Sequence, residues 1–313
     1  MAPDFVWLKI RSGAGDHYLA DTLRGISTAL YTNNTDAERT ESGRGITSFN
    51  SNGFGLGLDP ALRGSTNLNG ATYVGWQWNA GGSTVTNTSG SISSQVRANP
   101  SAGFSIVTYT GTGSVSTVGH GLGVAPRMII VKRRDSATNG DWFTYTATTG
   151  NGNVLFLNLT NASSASGGAW NNTSPTSSVF TVGTSSGVNA NGSTYVAYCF
   201  SEVAGYSRFG SYTGNGSADG PFVFCGFRPR FIMLKRTDST SDWAIFDTAR
   251  NTVNISTNAV FANLSMAELT GENFDILSNG FKLRAAPSWG NISNGTYIYM
   301  AFAENSFKYS LAR

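Results

Sequence analysis

Charged side chains are scarce in this sequence, at 12% of 313 residues, where about a quarter is usual. The net charge of +3 is small, and the densest basic run, Arg127 with Lys132 to Arg134, has Asp135 beside it. A basic stripe with interleaved aromatic residues is missing, which argues against a nucleic-acid partner. Because 40% of the residues are hydrophobic and 12% aromatic, the chain is still expected to fold.

Cysteine and histidine are rarer still, with two residues of each kind. Cys199 and Cys225 lie in apolar runs without a CxxC spacing, which indicates buried free thiols and no disulfide or metal site. His17 and His120 are too few for a metal or acid–base cluster, and His120 sits in a glycine-rich segment typical of a turn. We expect no cofactor.

Long apolar runs and targeting signals are lacking too. The first ten residues have neither a charged nor a long apolar region, which excludes a signal peptide there. No stretch approaches the ~18 apolar residues of a membrane-spanning helix, so we expect no membrane insertion. The sequence contains no GxSxG, HExxH or phosphate-binding loop, and we therefore expect no catalytic residues, no metal ligands and no enzyme activity.

What the sequence does have is an internal repeat. One motif occurs three times: a proline, then an apolar run, then a lysine. The three lysines are Lys9, Lys132 and Lys235. Asn33, Asn158 and Asn263 open an Asn-x-Ser/Thr-x-Ala box 24, 26 and 28 residues later (33 − 9, 158 − 132, 263 − 235). A closing box places Tyr73, Tyr195 and Tyr297 at 64, 63 and 62 residues after each lysine (73 − 9, 195 − 132, 297 − 235). Landmarks in one order at nearly constant spacing indicate a triplicated unit.

The repeats define the predicted architecture, an all-β chain of three tandem β-sandwich-like repeats with short turns and at most one brief helical turn each. We expect repeat 1 over 1–80, a Ser/Thr/Gly-rich linker over 81–103, repeat 2 over 104–203, repeat 3 over 204–305, and a C-terminal strand or tail over 306–313.

Local patterns supply three details. Ser51-Asn52-Gly53 and Ser278-Asn279-Gly280 between apolar residues predict tight hairpins. Alternation over 73–78 predicts the last strand of repeat 1. A capping-box spacing after two of the Asn boxes, Thr35 to Glu38 and Ser265 to Glu268, makes a short helical turn plausible there.

Repeat 1 begins at what is the second strand of the other two repeats, so it lacks one strand. The C-terminal stretch 306–311 alternates like a strand. We hypothesise that it, or a strand of another chain, fills the missing position, and the alternative is an edge that stays open.

Two groups of side chains could carry chemistry. Asp16, Asp21 and Arg24 accompany Lys9, and Asp242, Asp247 and Arg250 accompany Lys235. A hydrolase would use such carboxylates, but repetition in tandem units favours ion pairs at strand ends.

The second group is a candidate glycan-binding patch. It combines aromatic faces with amide hydrogen bonds at Trp170, Asn171, Trp289 and Asn291, in Gly/Asn/Ser-rich stretches of repeats 2 and 3. The alternative is that these loops pack on the core.

The chain resembles a β-rich repeat domain of tail-fibre-like virion proteins of tailed bacteriophages, notably marine ones. The resemblance lies in five segments: PDFVWLK, SFNSNGF, NGATYVGWQW, GFSIVTYTGTG and VGHGLGVAPRMIIVKRR. It implies a virion protein assembled in the host cytoplasm, a tail fibre or spike segment that contributes to host-surface attachment.

The alternatives are a head-decoration protein binding only virion subunits and a glycan-degrading tailspike. The expected partners are other virion subunits, further copies of the chain, of which a trimer is one arrangement, and a host-surface glycan or protein.

Overall fold

The computed structural model describes residues 2–58 and 66–304, and it is an all-β protein built from several antiparallel sheets. Its strands fall into three groups that follow the sequence repeats. We call these unit 1 (residues 2–78), unit 2 (79–203) and unit 3 (204–304).

Unit 1 contains a five-stranded sheet and a hairpin, with the sheet order β4-β3-β2-β1-β7. Its strands are β1 Phe5–Ile10, β2 Tyr18–Asp21, β3 Gly25–Tyr31, β4 Arg39–Thr40, β5 Ile46–Asn50, β6 Gly53–Leu56 and β7 Tyr73–Trp78.

Unit 2 contains an eight-stranded sheet, ordered β15-β14-β13-β12-β17-β10-β9-β8, and a smaller pair β11-β16. Its elements are β8 Thr84–Asn87, β9 Ser94–Asn99, β10 Phe104–Thr110, β11 Ser116–Gly119, β12 Met128–Arg133, β13 Trp142–Thr146, β14 Asn153–Phe156, β15 Ser164–Ala165, helix α1 Gly167–Trp170, β16 Val179–Val182, helix α2 Ser186–Asn189 and β17 Thr194–Phe200.

Unit 3 contains a five-stranded sheet, ordered β18-β25-β20-β21-β22, facing a three-stranded one, β19-β24-β23. Its strands are β18 Ser207–Thr213, β19 Phe222–Phe224, β20 Pro229–Arg236, β21 Trp243–Asp247, β22 Val260–Phe261, β23 Phe274–Leu277, β24 Gly280–Leu283 and β25 Thr296–Ala303.

Register makes the three units comparable residue by residue. The lysine-bearing strand pairs with the closing strand in each: Lys9 with Val74, Lys132 with Val196 and Lys235 with Ile298. Strand β7 alternates between buried and exposed residues, as its sequence predicts. Both predicted hairpins form, as β5–β6 and β23–β24.

The stretch 81–103 is not the linker that its composition predicts. Strands β8 and β9 pair with each other, and β9 then pairs with β10, so the stretch extends the sheet of unit 2. Val96 supplies the reason, because it is buried in the core of this unit. Because Val96 stands among polar residues, the composition of this stretch gives little indication of a strand.

The helical turn considered plausible at the Asn boxes does not form either. In each unit the box comes after a strand and forms a non-helical turn. Instead, the side-chain oxygen of the box asparagine accepts a hydrogen bond from a backbone N–H at the start of another strand. Asn33 accepts from His17, Asn158 from Trp142 and Asn263 from Trp243. This side-chain bond holds the backbone in place of a helix cap.

One hydrophobic core is shared by the three units, and each unit has a second core of its own. At the centre of the shared core lie Trp78, Phe200 and Phe302, the last aromatic residue of each closing strand, which we call the aromatic hub. Their ring centroids are 5.7 to 6.3 Å apart. Aromatic burial at this spacing is strongly stabilising, and here it depends on all three units at once.

Among the described residues, the closing strand of unit 1 has one sheet neighbour fewer than the closing strands of units 2 and 3. Strands β17 and β25 each lie between two neighbours, whereas β7 pairs only with β1 among residues 2–58 and 66–304. The hypothesised C-terminal strand over 306–313 lies outside the described residues.

Candidate functional site

The repeated lysines join the units. Each Nζ donates to a backbone carbonyl of its own unit and also to one of another unit, that of the Ser or Thr two residues after the asparagine of the Asn box. Lys132 reaches Thr35 at 3.2 Å, Lys9 reaches Ser265 at 3.3 Å, and Lys235 reaches Thr160 at 2.9 Å. These contacts run from unit 2 to unit 1, from unit 1 to unit 3 and from unit 3 to unit 2, so they close a ring. We call them joint 2–1, joint 1–3 and joint 3–2.

The three lysines are almost completely buried, with at most 1% of their surface exposed. Burial lowers the pKa of Lys9, Lys132 and Lys235 to about 8, although nearby Asp16, Asp141 and Asp242 oppose the shift. Each ammonium is therefore held by backbone carbonyl oxygens in a buried joint.

A ring N–H accompanies the lysine in each joint. Trp142 Nε1 donates to Tyr31 O and Trp243 Nε1 to Phe156 O, both at 2.9 Å. The corresponding residue in joint 1–3 is His17, whose Nε2 faces the carbonyls of unit 3 without a hydrogen bond of regular geometry. Because Trp7 Nε1 donates to Nδ1 of His17 at 2.9 Å, the proton of the neutral ring is on Nε2.

Joint 2–1 contains a chain of buried and half-buried ions. Arg134 donates twice to Glu38, at 2.8 and 2.9 Å, and Glu38 also accepts from Arg24 at 3.0 Å. Arg24 binds Asp21 at 2.5 Å, and Tyr198 of unit 2 donates to Asp21 at 2.8 Å. Burial would raise the pKa of Glu38, but the two guanidinium groups lower it below its usual value.

Joint 1–3 repeats the same chain with equivalent residues. Arg11 donates twice to Glu268 at 2.9 Å, Arg250 donates to Glu268 at 3.0 Å, and Arg250 binds Asp247 at 2.6 Å. Trp76 Nε1 takes the place of the tyrosine hydroxyl and donates to Asp247 at 3.1 Å. The carboxylates that sequence analysis singled out therefore serve as the ends of inter-unit ion chains.

Joint 3–2 is neutral at every one of these positions. Thr237 and Ser163 stand where the other joints have Arg and Glu, and they keep only a backbone hydrogen bond of 2.8 Å. Thr146 and Thr149 replace the Asp–Arg pair and share a hydrogen bond of 2.9 Å between their hydroxyls. Met300 occupies the register position of Tyr198 and Trp76.

A groove of about 350 Å³ lies beside strand β7 of unit 1. Strand β7 forms one wall, and the opposite wall belongs to unit 3, with Tyr206, Phe231 and Ala303. Arg230 and the almost fully buried Asp247 also line it.

The predicted glycan-binding patch is not an exposed surface. Trp170 is 2% exposed and packs edge-on against Tyr145, and Trp289 is 5% exposed and packs on Phe246. Asn291 is fully buried, and its side chain binds backbone groups of its own unit.

Asn171 ends helix α1 in a left-handed conformation, with φ of 51°. The loops are packed on the core, which is the alternative arrangement. Trp170, Asn171, Trp289 and Asn291 therefore do not form a shared exposed surface for a sugar.

The cysteines and the second histidine are structural. Cys199 and Cys225 are free and buried, and burial raises the pKa of both thiols to about 12. His120 is buried, and its Nδ1 accepts the backbone N–H of Leu122, so it stabilises the turn in which it was predicted.

Sequence analysis did not assign a role in the joints to Glu38, Arg134, Tyr198 and Trp76, nor to Arg11 and Glu268. The signal for the first two was present, since an arginine follows the lysine by two residues in units 1 and 2 (11 − 9, 134 − 132). A glutamate follows the box asparagine by five in units 1 and 3 (38 − 33, 268 − 263). Nothing in the spacing shows that these residues meet across two different units.

Fold and joints together define a class: an all-β protein in which three equivalent units close a ring through buried lysines. The chain belongs to the family described as "Domain of unknown function (DUF7483)", whose model matches residues 1–306. No curated protein and no solved structure matches the chain.

Across residues 2–58 and 66–304, no helix is both long and apolar enough to cross a membrane. The same residues contain no group of three or more His, Cys, Asp or Glu side chains placed to hold a metal ion.

Proposed function

We propose that the protein is a structural component of a bacteriophage virion, a tail fibre or spike segment that contributes to host-surface attachment. The observation that carries the structural role is the closed ring of joints. The repeated lysines, each nearly fully buried, bind backbone carbonyls of a neighbouring unit, and the repeated Asp and Arg side chains bind one another there. Polar groups used in this way give one rigid block, as a load-transmitting particle component requires.

A head-decoration protein that binds only virion subunits is the second candidate. The burial of Trp170 and Trp289 favours it, because the aromatic faces expected to meet a host glycan are covered. The groove along β7 is available for subunit contacts under either assignment. A glycan-degrading spike gains no support from the joint carboxylates, because Asp21 and Asp247 lie fully or almost fully buried against arginines.

Labelling of intact particles tests the proposal. Antibodies against the purified chain should bind particles of a phage that encodes it, at the tail for a fibre and at the head for a decoration protein. The purified chain should also slow phage adsorption to host cells if it is a fibre segment. Particles that carry no label would contradict a virion role, and head labelling without competition would select the second candidate.

A further inference from the structure

The ring donors of the three joints differ in one chemical property. Trp142 in joint 2–1 and Trp243 in joint 3–2 each donate an indole N–H to a carbonyl of the neighbouring unit. An indole nitrogen only donates and takes up no further proton, whereas an imidazole in water becomes cationic near pH 6.5. His17 holds the equivalent place in joint 1–3. The contact between the first and the last unit is therefore the one whose ring donor titrates.

The hydrogen bonds of His17 leave no place for a second proton. The side chain is 0% exposed, and its Nδ1 accepts the N–H of Trp7 Nε1 at 2.9 Å. Nε2 carries the proton of the neutral ring and faces the carbonyls of Phe261 and Leu264 in unit 3. A further proton has to go to Nδ1, where it would point at the Trp7 N–H. Protonation therefore removes the one hydrogen bond of regular geometry that the ring makes.

The charges around His17 act in the same direction. Burial first, and then the ammonium of Lys9 on β1 and the guanidinium of Arg250 in unit 3, lower the pKa of His17 well below its usual value. The nearby carboxylates are bound by other partners, Asp16 by side-chain amides and Asp247 and Glu268 by arginines. A cationic ring in the closed joint would lie beside two positive charges.

We propose that joint 1–3 is an acid-sensitive latch, in which proton uptake by His17 separates unit 1 from unit 3 while joints 2–1 and 3–2 stay closed. In the open joint the ring meets water and binds a proton below about pH 6.5. Because the closed joint refuses that proton, each pH unit below this value favours the open form by up to tenfold. Trp142 and Trp243 take up no proton at the same place, so unit 1 stays attached to unit 2, and unit 3 to unit 2.

Two equivalent backbone amides report on the latch and on a neutral joint. Gly15 N–H donates to Ser265 O across joint 1–3 at 2.7 Å, and Ser241 N–H donates to Thr160 O across joint 3–2 at 2.8 Å. Both acceptors lie two residues after a box asparagine and also bind the lysine of their joint. Hydrogen exchange of these amides in the full wild-type chain, divided by the intrinsic exchange rate at each pH, measures how often each joint opens.

Between pH 6.5 and 5 we expect the opening of joint 1–3, read at Gly15, to become about 15-fold more frequent. Opening of joint 3–2, read at Ser241, should stay nearly constant. An equal increase at both amides would overturn the proposal, because exchange would then report unfolding of the whole chain. The absence of any increase at Gly15 would overturn it as well.

Two glutamine variants identify the group that titrates. His17→Gln keeps a neutral donor and acceptor at the joint, and it should reduce the pH effect at Gly15 to that at Ser241. His120→Gln is the matched control, because His120 is buried in a turn of unit 2 and should leave the 15-fold effect unchanged. If the effect at Gly15 persists in His17→Gln or disappears in His120→Gln, His17 is not the latch. The comparison of the two amides in the wild type tests the proposal even if a variant fails to fold.

Discussion

Joint 2–1 and joint 3–2 have the same backbone and opposite side-chain chemistry. A backbone N–H of one unit donates to a carbonyl of the next at 2.7 Å in the first, from Glu38 to Arg134, and at 2.8 Å in the second, from Ser163 to Thr237. Lys132 and Lys235 cross the two joints in the same way. Around this shared frame, joint 2–1 has two arginines and two carboxylates, and joint 3–2 has hydroxyls and a methionine.

The difference shows that the ion chain is replaced as a set. The side chains of Asp21 and Arg24 are 0% exposed, so removing Arg24 would leave Asp21 as a buried charge without its cation, and removing Asp21 would leave Arg24 with one carboxylate, Glu38, instead of two. Leaving such a charge costs about 3–5 kcal/mol, whereas replacing all members together can be neutral. In joint 3–2 all five positions differ together: Thr146, Thr149, Ser163, Thr237 and Met300. The backbone bonds and the lysine are the common requirement of a joint, and the ion chain is one of two ways to fill the space around them.

The largest expected effect comes from removing one ion. Asp21→Ala leaves Arg24 buried with Glu38 as its remaining partner and removes the acceptor of Tyr198, and we expect a loss of about 3–5 kcal/mol. Thr146→Ala, the equivalent change in joint 3–2, removes the hydroxyl that shares a hydrogen bond with the Thr149 hydroxyl and accepts one from the Thr149 N–H, and it should cost about 1–2 kcal/mol. Urea unfolding of both variants measures the difference, and equal losses would contradict the contrast between the joints.

Exchanging the whole set should cost less than exchanging one member. Asp21→Thr, Arg24→Thr, Glu38→Ser, Arg134→Thr and Tyr198→Met together convert joint 2–1 to the composition of joint 3–2. We expect this fivefold variant to be more stable than Asp21→Thr alone by about 2 kcal/mol, because no unpaired charge remains. The same urea unfolding experiment decides the matter. If the five changes add up to a larger loss than the single one, the neutral joint is not a self-consistent alternative.

Local features of the fold were predictable from the sequence. The strand around Lys9, the closing strand over 73–78 and both Asn-Gly hairpins follow from short-range patterns. Strand β9 was hidden, since its buried residue Val96 stands among polar neighbours.

The joints were not predictable, because their partners are far apart along the chain and lie in different units. Arg11 and Glu268 are 257 residues apart, and Tyr198 and Asp21 are 177 apart. Spacing within one repeat identifies each residue but not its partner. The candidate glycan patch failed for a related reason, since a Trp among Gly and Asn looks the same in sequence whether its face is open or covered. Trp170 and Trp289 are covered by core residues from distant strands.

A smaller effect distinguishes joint 1–3, the one in which a histidine replaces tryptophan and which connects the first unit to the last. Burial, assisted by the charge of Lys9, lowers the pKa of His17 well below its usual value. The unfolded chain takes up a proton below pH ~6.5 that the folded chain refuses, so stability falls as pH decreases through that range, by at most about 1.4 kcal/mol per pH unit. His17→Trp combined with Trp7→Ile gives joint 1–3 the residues of joint 2–1 and should remove this slope. Wild type and variant share His120, so its contribution cancels when their unfolding free energies are compared between pH 6.5 and 5.

If the unfolding free energies of wild type and variant depend on pH with the same slope, the neutral imidazole of His17 does not distinguish joint 1–3 from the other two joints.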